Sequence, residues 1–70
     1  MKSLENYISI IRPDDNGTFV AYIPAISSCH AVGETPEKAM QNLRDVFEMI
    51  QEEYLEEKQD MPLEVQILIV

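Results

Sequence analysis

Apolar residues gather in short runs over the first half of the chain and recur at three- and four-residue steps over the second. Asn6-Tyr7-Ile8-Ser9-Ile10-Ile11 and Phe19-Val20-Ala21-Tyr22-Ile23 are rich in β-branched and aromatic residues. Between them Arg12-Pro13-Asp14-Asp15-Asn16-Gly17-Thr18 supplies turn chemistry, with Asn16-Gly17 at the tight point, so the two runs predict a β-hairpin. The chain then passes a break at Pro24, a small-residue corner and a second short apolar segment through Ala31-Val32, which predicts a third strand.

From Pro36 onward Ala39, Met40, Leu43, Val46, Phe47, Ile50, Tyr54 and Leu55 fall on one stripe of a helix. Thr35 can cap its first turn, Pro36 fits the first helical position, and Glu37 favours the positive end of the dipole. No glycine or proline interrupts the run before Pro62, so the helix is expected to reach the region of Glu57 to Gln59. The last segment, Leu63-Glu64-Val65-Gln66-Ile67-Leu68-Ile69-Val70, alternates and then becomes apolar on both faces, a strand whose second face also wants burial.

The element order is β-β-β-α-β, an α+β arrangement. If the first three strands form an antiparallel meander, the helix returns the chain so that the last strand runs parallel to the first. A right-handed crossover then places it beside strand one, giving a mixed sheet of order 3-2-1-4 with one long helix on one face.

Seventy residues form one domain, 1-70, with a thin core. One cysteine and no metal-ligand cluster leave self-association as the means of support, so a homo-dimer or higher oligomer is expected. Val20 and Tyr22, on the sheet face away from the helix, and Leu68 and Val70, on the terminal strand, are the candidate oligomer contacts. Cys29 has no partner for an internal disulfide, the N-terminus lacks the apolar core of a signal peptide, and no apolar run approaches a membrane span, so a cytoplasmic location without membrane contact is expected.

The formal net charge of −8 argues against direct nucleic-acid binding, because phosphate contact needs clustered Lys and Arg. Lys2, Arg12, Lys38, Arg44 and Lys58 are scattered. An acidic domain suits a basic protein partner, whose association it speeds by electrostatic steering. Glu48, Glu52, Glu53, Glu56 and Glu57, continued by Asp60, crowd the outer side of the helix end. Their four-residue spacings repel by a few tenths of a kcal/mol each, near the unfavourable end of the dipole. Two readings follow: a solvated face that keeps a small oligomer soluble, or a surface compensated by a basic partner.

Catalysis finds little support. His30 and Cys29 are the only residues of their kinds, and as neighbours on a strand they point to opposite faces. Cys29 reads as a small buried apolar residue and His30 as a surface or interface residue. Asp14 and Asp15 read as turn formers. No cofactor or metal site is expected.

Pro24, Ile26, Cys29, Gly33, Thr35, Glu37 and Ala39 together resemble the pattern of the HicB-like antitoxin family, a hairpin followed by Pro-x-hydrophobic-x-Gly-Cys and then Gly-Asp-Thr-x-Glu-Glu-Ala opening a helix. The similarity runs from about Tyr7 to Pro62, with Ser28 for the usual glycine, Glu34 for the aspartate and Lys38 for the second glutamate. The resemblance implies a truncated ribonuclease H-like sheet. It also implies a protein that binds and neutralises a small basic, double-stranded-RNA-binding-like toxin (HicA-like) that cleaves messenger RNA, with Glu48, Glu52, Glu53, Glu56 and Glu57 countering the toxin's charges. The nuclease chemistry of the larger fold is not expected, since two-metal cleavage needs converging carboxylates and none sits at the centre of the first strand. Many family members carry a separate C-terminal DNA-binding domain. The sequence stops at Val70 without one, so autonomous DNA binding is not expected. The alternative from another class is a stand-alone, non-enzymatic oligomeric interaction module without a toxin.

Overall fold

A computed structural model describes residues 3–63. Strands β1 (Ile10–Pro13), β2 (Phe19–Tyr22) and β3 (His30–Gly33) precede a helix, α1 (Pro36–Glu56). The strands form an antiparallel meander in the order β1-β2-β3, with Ile11 opposite Ala21 and Ala21 opposite Ala31. A three-strand antiparallel sheet and one long helix make a small α+β arrangement, as expected for the first four elements. The expected fourth strand, with its Leu68 and Val70, lies outside the described residues.

The hairpin closes where the turn residues stand. The Asp14 N–H donates to the Thr18 carbonyl at 2.8 Å, and Gly17 takes a φ of 75°, which a side chain would resist. The first strand, however, is shifted from its expected span. It begins at Ile10 and runs on to Pro13, whereas Asn6 closes a short 3-10 turn over Leu4–Asn6. The Asn6 side-chain carbonyl accepts from the Ser3 N–H at 2.9 Å, a local bond that competes with the ladder. Continuing the register would also set Ile8 against Pro24, which has no N–H to give.

Paired residues share a face, so the burial of Ala21 and Ala31 marks the side that meets the helix. The core joins Ala21, Ile23, Ile26, Cys29 and Ala31 of the sheet and corner to Ala39, Leu43, Phe47 and Ile50 of α1, with Leu4 and Tyr7 closing one end. The helix stripe is as expected except at Leu55, which is 56% exposed. Leu55 lies one residue, about 100°, beyond Tyr54 and so turns off the core line.

Thr35 caps α1, its hydroxyl accepting from the Lys38 N–H at 3.1 Å. At the other end Lys58 adopts φ 57°, and the Gln59 N–H reaches back to the Tyr54 carbonyl at 2.9 Å, a Schellman-type ending.

Candidate partner-binding surfaces

Glu48, Glu52, Glu53, Glu56 and Glu57 are all exposed, and α1 carries four of them while Glu57 is its C-cap. At 100° per residue Glu48, Glu52 and Glu56 line the side opposite the core, with Glu53 on its flank. Asp45, three residues before Glu48, is exposed on the same side and extends the acidic surface. Asp45 lies outside the run expected from the sequence, although its three-residue spacing from Glu48 marks it.

The cations of the helix are engaged outside this surface. Arg44 Nη1 meets Glu5 Oε1 at 2.6 Å, and Lys38 Nζ lies 4.0 Å from Glu34 Oε2. Among the described residues no ion pair is made by the five glutamates. The Glu5 carboxyl is held below its ordinary range, first by the hydrogen bond from Arg44, then by its backbone bond and the Arg44 charge.

Two large apolar side chains interrupt the acids. Met49 is 61% exposed, with Asp45 and Glu53 one turn away on either side, and Leu55 is exposed beside Glu52. Single exposed apolar residues are ordinary on a solvated face, and interfaces use such residues as anchors within a charged rim.

The sheet offers a second surface. Pairing places Val20 and Tyr22 on the side away from α1, as expected, together with Ile10 and Arg12 of β1 and His30 and Val32 of β3. The Arg12 guanidinium carbon lies 6.0 Å from the centre of the Tyr22 ring. Cys29 and His30 diverge as expected, Cys29 into the core and His30 outward. Burial pushes the Cys29 thiol up, so it holds its proton.

The two sheet edges differ. Asn42 of α1 donates to the Val32 carbonyl at 2.8 Å and so occupies the β3 side. Beside β1, Ile11 is 38% exposed and lines a groove of about 420 Å³ with Pro36, Met40 and Arg44. Among the described residues no strand pairs with that outer edge, no three His, Cys, Asp or Glu residues gather as metal ligands do, and no helix is long and apolar enough to cross a membrane.

The family model described as a HicB-like antitoxin of bacterial toxin–antitoxin systems matches residues 7–69. Three relatives come from Synechocystis sp. (strain ATCC 27184 / PCC 6803 / Kazusa). The UPF0150 protein ssr1765 is 32% identical over 90% of this chain and 80% of its own, and the UPF0150 protein ssr1258 is 38% identical over 76% and 75%. The UPF0150 protein ssl0259 is 40% identical over 89% of this chain and 86% of its own. No solved structure matches the chain significantly.

Proposed function

Since this chain belongs to the HicB-like antitoxin family of bacterial toxin–antitoxin systems, we propose that it binds and neutralises a small basic, mRNA-cleaving, HicA-like toxin by protein–protein contact, in the cytoplasm and without catalysis of its own. The observation that carries this reading is the acidic outer side of α1, where Asp45, Glu52 and Glu53 stand one turn from the exposed Met49 and Glu48 and Glu56 continue the acidic line. A toxin that grips RNA presents clustered cations, and this surface offers them carboxylates in place of phosphates with an exposed apolar side chain beside them. The same charge turns the chain away from nucleic acid itself.

The finer architecture belongs to this reading. We infer that residues 64–70 add as a fourth strand parallel to β1, completing the order 3-2-1-4 of a truncated ribonuclease H-like sheet. The Tyr7 hydroxyl donates to the Pro62 carbonyl at 2.5 Å, which brings the chain back beside the start of β1 after the helix. The groove along Ile11 and the occupied β3 side favour the same edge. A thin core and an uncovered sheet face support a homo-oligomer.

The test is inhibition of a purified, small basic toxin encoded beside this chain. Stoichiometric loss of its RNA cleavage, and a complex weakened at least about tenfold at low salt by Glu52→Lys with Glu56→Lys, are the expected results. Cleavage undiminished by excess chain would favour the stand-alone oligomeric module, and inhibition untouched by the charge reversal would move the contact off the helix.

A further inference from the structure

The fold treats the asparagines Asn6, Asn16 and Asn42 differently. The Asn6 side-chain carbonyl accepts from the Ser3 N–H at 2.9 Å, and the Asn42 side-chain amide donates to the Val32 carbonyl at 2.8 Å. Each is followed by a large residue, Tyr7 in one case and Leu43 in the other. Asn16 makes no side-chain hydrogen bond among the described residues, and Gly17 follows it.

Both Asn16 and Gly17 are exposed at the tip of the β1–β2 hairpin, beyond its last paired residues, Pro13 and Phe19. The Asp14 N–H donates to the Thr18 carbonyl at 2.8 Å and closes the ladder beneath them. A Cβ built on Gly17 would meet nothing within 4 Å. Glycine has no side chain of its own to hinder attack by its nitrogen, and here no distant atom crowds that attack either.

We propose that Asn16 is a site of spontaneous deamidation in the folded protein, converted through a cyclic imide with Gly17 to aspartate and isoaspartate. Base removes the Gly17 N–H proton, and the nitrogen attacks Asn16 Cγ. The new N–Cγ bond forms as the Cγ–Nδ2 bond breaks, and Nδ2 leaves as ammonia. Water, the one co-reactant, then opens the imide. Cleavage at Cγ gives aspartate, and cleavage at the former backbone carbonyl gives isoaspartate, whose main chain runs through Cβ and Cγ.

Either product adds a carboxylate beside Asp14 and Asp15 to a chain already at −8. Isoaspartate also lengthens the loop by one methylene. Loop length and turn geometry set the register of a hairpin, so the extra atom works against the Asp14–Thr18 bond and loosens β1 from β2. The tip thereby gives the folded chain a chemical lifetime, and this holds whatever partner α1 engages.

The purified full chain, held in warm, mildly alkaline buffer with and without urea, tests this by peptide mapping, with electron-transfer fragmentation to distinguish isoaspartate. Conversion is expected at Asn16 before Asn6 or Asn42, faster as pH rises, and in the native protein within about tenfold of the urea-unfolded rate, as befits an exposed loop tip. Asn16→Gln should abolish it, because the larger ring closes far more slowly. The isolated isoaspartyl form should melt below Asn16→Asp, which adds the charge and keeps the loop length. Native conversion slower than that tenfold bound, or reaction first at Asn6 or Asn42, would overturn the proposal. With no toxin in the assay, neither result touches the antitoxin reading.

Discussion

Tyr7 and Pro62 are 55 residues apart in sequence and joined by a 2.5 Å hydrogen bond, the phenol donating to the proline carbonyl. The Tyr7 ring also meets Phe47 edge-on, with centroids 5.8 Å apart. One buried side chain thus ties the segment entering β1 to the middle of α1 and to the chain that leaves it. Tyr7→Phe keeps the ring contact and removes the bond, and we expect a loss of about 0.5–1.5 kcal/mol in urea unfolding. Tyr7→Ala removes both and should cost about 3–5 kcal/mol.

Gly33 ends β3 against the first turn of α1. A Cβ placed on it would stand 2.4 Å from the Ala39 backbone nitrogen and 2.7 Å from the Lys38 carbonyl carbon. These are backbone atoms of a capped helix, so they have little freedom to withdraw. Gly33→Ala should therefore destabilise the protein by about 1–3 kcal/mol, read from its thermal midpoint. No shift would show that strand and helix separate more easily than their packing implies.

Gly33 and Thr35 also show which features were legible in the sequence. Gly-Glu-Thr-Pro-Glu carries a cap and a helix start within five residues, and the helix begins where those local signals place it, whereas the close approach at Gly33 depends on how the helix packs back on the strand. The hairpin was equally readable, because Asp14 and Gly17 have turn preferences that need no distant partner. The start of β1 was not, since Asn6 satisfies Ser3 locally and Pro24, which the register sets opposite Ile8, has no N–H to donate. Tyr7–Pro62, Asn42–Val32 and Arg44–Glu5 join residues 55, 10 and 39 positions apart, and no periodicity encodes them. Of the candidate surfaces, the acidic stripe was visible as a run of glutamates. Its interruption by exposed Met49 emerged only once the core had taken the other side of the helix.

The Arg44–Glu5 pair gives a sign-defined dependence on pH. The carboxyl is lowered in the folded state, so its contribution is present above the ordinary carboxylate range and disappears as pH falls through its lowered folded value. Both side chains are more than half exposed, so solvent and salt keep the effect small. An NMR titration of the Glu5 carboxyl should show a lower midpoint in the wild-type protein than in Arg44→Gln. Equal midpoints would mean that the pair does not persist in solution.

Cys29 is 1% exposed, and its thiol is pushed up by burial. Alkylation needs an accessible thiolate, and the native fold withholds both the access and the ionised form. Iodoacetamide at neutral pH should thus label the protein at least about tenfold more slowly than it labels the urea-unfolded chain. The raised value also means that Cys29 favours the fold below the ordinary thiol range and that this contribution is lost as pH rises through the folded value. Labelling at the unfolded rate in native buffer would place Cys29 outside the core.

Lys58 marks a place where the chain is less stable than its fold permits. It adopts φ 57° beyond the end of α1, where the Lys58 N–H bonds to Leu55 and the Gln59 N–H to Tyr54. That conformation crowds a Cβ and is the usual station of glycine in a Schellman ending. Lys58→Gly relieves the crowding but gives the unfolded chain more freedom to lose, so the gain is a difference of two effects. The removed cation also sits near the negative end of the helix, among acids, and its loss subtracts a few tenths of a kcal/mol. We expect the conformational gain to win, with a net stabilisation of about 0.5–1 kcal/mol in urea, increasing with salt as the charge penalty is screened. If Lys58→Gly instead destabilises the protein at high salt, the left-handed ending is not the conformation that α1 holds in solution.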